Sequence, residues 1–334
     1  MTLTTRTPSA LTAALRDIQT PVVEELDAVS AELWRIVAAD VPLVRAVQQH
    51  LMGMKGKMLR PTLLLLSSGV EGQQQSRAVT YAAVIELIHL ATLVHDDAVD
   101  HSALRRGMPT VNSLFSHQVS VIMGDYLYLR ALKELVALGD LAPMRAITEA
   151  SNEMTLGEMR QLSSIDALAF SEKDYETLIR AKTASLFVAS CEVGALCGAV
   201  RHRAALMEFG LKLGMAFQVS DDLLDYTEAQ EMTGKPSGLD LKEHKVTLPL
   251  IAALPLMSEA DRARVKEFFE TNDPPDSEVS EVIGIVREYG GLDYARRRGV
   301  QFAREAEEAL AGLPEGASKT SLMDTISYVV ERRW

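Results

Sequence analysis

Residues 82–100 read AAVIELIHLATLVHDDAVD, from Ala82 to Asp100. The first fourteen of them, 82–95, are apolar on nearly every side, the mark of a helix buried in the middle of a bundle. The stretch then ends in Asp96-Asp97-Ala98-Val99-Asp100, and unpaired buried charge is expensive, so such an ending needs a reason. Segments 186–200 and 211–224 are similarly apolar, and the latter runs into Asp221-Asp222-Leu223-Leu224-Asp225. Both clusters are DDxxD. On a helix the first and last Asp of each stand four apart on one face, with the middle one about 100° round. Stacked carboxylates with no lysine between them repel unless a cation lies above. An oxygen-only, carboxylate-rich site suits Mg²⁺, which shares substrate phosphate oxygens.

One such cluster could be a solvated helix end. Random placement of the chain's aspartates gives roughly 0.06 such patterns, so two clusters, each closing an apolar helix, carry the signal. His89, Thr92, Asp96 and Asp100 are spaced 3, 4 and 4, which forms one polar stripe and points His89 toward the same cleft as Asp96.

Working outward, almost everything reads as helix. Aromatics are 5% of the chain, and no stretch alternates with period 2 between hairpin turns. Helical spans are predicted at 9–50, 60–70, 77–101, 109–138, 143–167, 172–199, 203–228, 243–270, 277–310 and 318–331, with Pro109 and Pro143 at helix starts. The breaks between them are too short for linkers, and no repeat of 20–50 residues is visible. The reading is one all-α domain over 1–334, with 1–30 as an N-terminal helical extension.

Composition bounds the function. The 334 residues are 47% hydrophobic and 24% charged, enough for a large core. A net charge of −12 argues against a nucleic-acid binder. It leaves room for an anionic small substrate, because a metal or a local basic cluster reverses the field inside a cleft. No uninterrupted apolar run approaches the roughly 20 residues of a membrane span. Cys191 and Cys197 form no CxxC pair and fit a reducing, cytoplasmic compartment. Glu86 and His89 match the ExxH element of di-iron bundles, but the second ExxH is missing. Neither GxxxxGK[ST] nor GxGxxG is present, so nucleotide chemistry has no support.

Against this acidic background, cations stand at Gly56-Lys57-Met58-Leu59-Arg60-Pro61, Arg105-Arg106-Gly107, Lys182-Thr183, and from Gly234-Lys235-Pro236 to Lys245-Val246-Thr247. Arg105 and Arg106 follow the first Asp cluster closely. Arginine forks beside Mg²⁺ suit a diphosphate.

These motifs, in this order, resemble the trans-polyprenyl diphosphate synthases, together with Leu93-Val94-His95, Gly124-Asp125-Tyr126-Leu127, Phe217-Gln218-Val219-Ser220 and Leu248-Pro249-Leu250. The resemblance covers nearly the whole chain. It implies an all-α barrel around a central apolar cavity, a homodimer, and Mg²⁺-dependent condensation of isopentenyl diphosphate with an allylic diphosphate. Asp96, Asp100 and Asp221 would hold the metal, with Asp97, Asp222 and Asp225 as supporting or water-mediated ligands. Arg105, Lys182, Lys235 and Lys245 would clamp the allylic diphosphate. Lys57, Arg60, His89 and Arg106 would take isopentenyl diphosphate, with Thr183 and Gln218 at the reacting region. One departure is His244, which stands where the family usually has glycine.

Product length follows from the helix below Asp96. Thr92 lies one turn down and Ile88 two, and each turn rises about 5.4 Å, close to one isoprene unit. Ala91 and Thr92 are small where short-chain members place an aromatic floor, and the next sizeable side chains are Ile85 and Tyr81. A product of hexaprenyl length or longer is expected. The alternatives are a geranylgeranyl or farnesyl synthase, a class I terpene cyclase, and a non-catalytic partner subunit. Membrane contact is limited to product release. Segment 229–243, polar and containing two glycines and a proline, reads as a flap over the cleft.

Overall fold

Prolines cut the first predicted helical span into pieces. α1 (Pro8–Gln19) gives way to a short 3₁₀ turn containing Pro21, then α2 (Val23–Val37) and α3 (Pro42–Gly53) follow. Pro42 opens α3 because its missing N–H would have no helical partner there, and it holds Val41 extended. In this computed structural model, residues 8–54, 56–72, 76–105, 107–163, 167–227 and 238–330 are described.

α4 (Leu59–Ser68) and α5 (Arg77–Val99) come next. Then Leu104–Arg105 (β1) pairs antiparallel with Met108–Pro109 (β2), a hairpin that the helical reading of 109–138 missed. Pro109 therefore ends a strand rather than starting a helix. α6 (Val111–Leu114) begins after Thr110, whose hydroxyl accepts from the Ser113 amide, and α7 (His117–Leu138) is a separate helix.

α8 (Leu141–Ser163) and α9 (Glu172–Ile179) lead into a single π turn, Arg180–Ala184, and then α10 (Ser185–Gly198). The sequence reads 172–199 as one continuous helix, and the π turn interrupts it at Lys182. α11 (Arg203–Thr227) carries the second Asp cluster. The remainder comprises α12 (Leu239–Lys242), α13 (Leu248–Ala253), α14 (Glu259–Glu270), α15 (Asp276–Glu288), α16 (Gly291–Leu310) and α17 (Ala317–Val330).

α5 and α10 are apolar all round because both are enclosed. α5 packs against α2, α4, α7 and α10, while α10 also meets α8 and α11, and α16 covers α11. Among the described residues α5 is the one helix long and apolar enough to cross a bilayer. Glu86 and His89 interrupt its apolar run, and the helices packed around it cover it.

Two glycines allow the closest approaches. A Cβ on Gly194 would collide with the Leu64 carbonyl oxygen, so α4 and α10 pack backbone to backbone. A Cβ on Gly214 would stand 2.6 Å from Ala184 Cα. That contact seats the π turn against α11, and so brings Lys182 and Thr183 to Gln218.

Candidate active site

α5 and α11 end at one cleft of about 630 Å³, whose lining includes Asp100, Lys182, Thr183, Gln218, Asp222 and Lys245. The six motif aspartates divide by what their carboxylates touch. Asp97 is buried and accepts from Arg105 Nε at 2.7 Å. Asp222 is buried, with Tyr175 Oη donating to one oxygen at 2.5 Å and Gln218 Nε2 to the other at 2.8 Å. Asp225 accepts from the amides of Leu239 and Asp240, each at 3.0 Å. These three are structural anchors. Asp96 is half-buried, while Asp100 and Asp221 are exposed.

Burial raises three of the motif carboxyls. Burial pushes the Asp96 carboxyl up to about 6; Lys182 opposes this, while Glu158 and Asp100 add to it. Burial, reinforced by Asp240, raises Asp222 and Asp225 well above the usual carboxylate range. Asp96, Asp100 and Asp221 are oxygen-only donors of the kind a hard divalent ion takes, but among the described residues no three acids converge closely enough to hold one by themselves.

The cations are seated beside these acids. β1 turns the chain back after Asp100, so Arg105 returns to Asp97. Lys182 Nζ lies 2.5 Å from Glu158 Oε2 and 3.1 Å from Gln161 Oε1. Its π turn is a distortion found often at functional sites. Thr183 Oγ1 donates to Gln218 Oε1 at 2.6 Å, which completes a chain from Thr183 through Gln218 to Asp222. Lys245 Nζ lies 2.6 Å from Glu243 Oε2 and 3.8 Å from Asp100 Oδ2.

The Lys57–Arg60 group forms a separate region. Lys57 Nζ sits 5.7 Å from the Tyr328 ring centre, and the Arg60 guanidinium 4.9 Å from that of Phe187. Phe187 in turn packs on Phe217, next to Gln218. His89 corrects the expectation of a shared cleft. It opens on a second cavity, about 360 Å³, beside Gly56 and Met58, because α2 and the loop after α3 cover α5 two turns below Asp96. Arg106 and Lys235 lie outside the described residues, as does most of the predicted flap.

His244 shows why glycine suits its position. Its φ is 55°, in the left-handed region, and its ring packs on Phe268 and Phe269. The aromatic contacts compensate for the strained backbone.

The chain-length residues are packed in the core. Ile85 and Ile88 have no accessible surface, and Ala91 and Tyr81 are buried. Thr92 is half-buried, and its hydroxyl donates to the His89 carbonyl at 2.8 Å. Burial pushes the Tyr81 hydroxyl up to about 12, and that hydroxyl has no hydrogen-bond partner among the described residues.

Sequence reasoning missed Glu158, Gln161, Tyr175, Asp240 and Glu243, all of which line the cleft. Glu158 and Gln161 share a face of α8 at i,i+3, a spacing common on any solvated helix.

Comparison with known proteins identifies the family. The Polyprenyl synthetase family pattern matches residues 41–286. The chain is 35% identical over 319 residues to the all-trans-nonaprenyl-diphosphate synthase (geranyl-diphosphate specific) of Rhodobacter capsulatus, covering 95% of this chain and 98% of that one. The crystal structure of a decaprenyl diphosphate synthase from Rhodobacter capsulatus superposes with a TM-score of 0.90 at 37% identity, covering 95% and 99% of the two chains. The polyprenyl synthase of Caulobacter crescentus CB15, complexed with calcium and isoprenyl diphosphate, also gives 0.90, at 31% identity over 96% and 98%. An all-α fold whose cleft brings one acid from each DDxxD motif beside two lysines, with matches along almost the full length, leads to one conclusion: the chain belongs to the polyprenyl synthetase family of prenyltransferases.

Proposed function

We propose that this chain extends an allylic prenyl diphosphate with isopentenyl diphosphate, using Mg²⁺, to a long-chain all-trans polyprenyl diphosphate of hexaprenyl length or longer. The observation that carries the reading is the pairing of two DDxxD helix ends with lysines and an arginine around one cleft. Asp96, Asp100 and Asp221 are the ligands of choice, since Asp97, Asp222 and Asp225 spend their oxygens on protein donors. When bound, Mg²⁺ supplies Lewis-acid stabilisation of the leaving diphosphate.

Arg105, Lys182 and Lys245, with Lys235, hold the allylic diphosphate where its negative charge grows as the C–O bond ionises. Lys57, Arg60 and Arg106 hold isopentenyl diphosphate, with His89 on the adjoining cavity that Gly56 and Met58 also line. Thr183 and Gln218 are fixed by Asp222, so they present a set dipole to the reacting carbons. The apolar walls of α5, α10 and α11 keep water from the cation. Two buried free thiols, Cys191 and Cys197, fit a cytoplasmic enzyme. A homodimer fits α7, where Ile122, Leu129 and Val136 recur every seven residues at 63–69% exposure. In addition, the relatives named above make nonaprenyl and decaprenyl products.

Asp96→Asn or Asp221→Asn removes a metal ligand worth several kcal/mol of leaving-group stabilisation, and roughly 1.4 kcal/mol is tenfold in rate. Release of diphosphate from the two substrates therefore falls by at least about a hundredfold with the helical circular dichroism unchanged; near-normal turnover at saturating Mg²⁺ contradicts the assignment. Ala91→Phe or Thr92→Tyr shortens the product on a chain-length standard. The same product from both variants removes these positions from the elongation path. Leu129→Glu converts the protein to a monomer of 36.6 kDa in sedimentation, whereas a wild type that is already monomeric contradicts the dimer.

Titration gives a further check. In the metal-free fold, Asp96, Asp222 and Asp225 bind protons more tightly than their ordinary value of 3.8. The folded state therefore holds protons that the unfolded state has lost, and stability rises as pH falls from about 8 toward 5. The melting temperature in EDTA is expected to be higher at pH 6 than at pH 8, with the difference shrinking when Mg²⁺ and diphosphate are added. A melting temperature that is lower at pH 6 than at pH 8 rejects the raised carboxyls.

A further inference from the structure

The two lysines of the cleft are each engaged by an acid that belongs to neither Asp cluster. Glu158 holds Lys182 at 2.5 Å, and Glu243 holds Lys245 at 2.6 Å. Each lysine also feels a cluster carboxylate. Lys245 is 3.8 Å from Asp100, and Lys182 acts on Asp96 through space. All four side chains of the two close pairs are between 26% and 35% exposed, so solvent and ligands reach them. Partly exposed pairs of this kind are weak enough to exchange partners. The Arg105–Asp97 pair differs, because the Asp97 side chain is only 8% exposed, which fixes that contact.

Charge in the cleft decides what can displace the acids. Its lining carries the carboxylates of Asp100, Glu158 and Glu243, with Asp222 and Asp240 raised by burial so that they hold protons more readily, against the ammonium groups of Lys182 and Lys245. A bare diphosphate meets lysines already neutralised and a surplus of like charge. A divalent cation on the Asp clusters removes much of that surplus, and the lysines then gain more from the diphosphate than from their glutamates.

We propose that Glu158 and Glu243 are positioning residues that park Lys182 and Lys245 in the substrate-free protein, so that the cleft accepts diphosphate only together with a divalent cation. The inference rests on the prenyl diphosphate reading of this cleft and adds a reason for its selectivity. Neither glutamate needs to touch the reacting carbons, since each acts through its lysine.

Titration calorimetry of inorganic diphosphate into the full chain, in EDTA and in Mg²⁺, tests it. The wild type should bind with Mg²⁺ and at least tenfold more weakly in EDTA. Glu158→Gln and Glu243→Gln should each tighten the metal-free binding at least tenfold, while Glu158→Asp and Glu243→Asp keep the wild-type metal requirement. Glutamine variants that bind metal-free diphosphate no better than the wild type overturn the proposal. So does an equal weakening with and without Mg²⁺, which is what a purely structural role of Glu158 between α8 and the π turn produces. Glu243 lies on a half-exposed segment, so its variant keeps the test valid if Glu158→Gln melts early. A wild type that binds no diphosphate even with Mg²⁺ overturns the enzymatic reading itself and the inference with it.

Discussion

Mutual repulsion among carboxylates at the ends of two buried helices is the constraint on which this structure turns. At an effective dielectric near 20, two like charges about 4 Å apart cost about 4 kcal/mol. Here the ends of α5 and α11 bring Asp100 and Asp222 to one cleft with Asp240, Glu158 and Glu243, and Asp96 lies within electrostatic reach of Glu158 and Asp100. The fold tolerates this by giving Asp97, Asp222 and Asp225 dedicated donors, and by seating Lys182 near Asp96 and Lys245 near Asp100. The remaining acids stay partly exposed at the cleft, where a ligand's charge reaches them.

The supporting architecture serves that arrangement. Enclosed apolar helices hold the two Asp clusters rigidly, and Gly214 lets the π turn approach α11. The extra residue in that turn re-aims Lys182 and Thr183 into the cleft, where a regular α-helix would continue past it. The hairpin after Asp100 does similar work for Arg105. Positioning here is done by irregularities: a π turn, a two-residue sheet and a left-handed histidine.

Those irregularities are also where the sequence is least readable. The Asp clusters stand out because three acids closing an apolar run are costly to bury unless a cation meets them, and the all-α character follows from the lack of period-2 alternation. Pro109 misleads because proline serves a strand end as readily as a helix start. The π turn leaves no trace in Arg180–Ala184, since its residues are good helix formers. Tyr175 looks like an ordinary buried aromatic until the fold brings its hydroxyl to Asp222, 47 residues away. His89 lies on the same stripe as Asp96, yet a stripe cannot say which neighbouring helix covers each turn. At His244 the backbone is left-handed, which accounts for the glycine that the family resemblance leads one to expect there.

If the opposed Asp clusters hold divalent cations on a diphosphate, metal and diphosphate must bind together. Counting bound Mn²⁺ by electron paramagnetic resonance, with and without inorganic diphosphate, tests this most directly. Diphosphate should increase Mn²⁺ uptake in the wild type, and a protein carrying both Asp96→Asn and Asp221→Asn should lose the increase while remaining folded. Mn²⁺ uptake that is indifferent to diphosphate, or unchanged in the double variant, would contradict it.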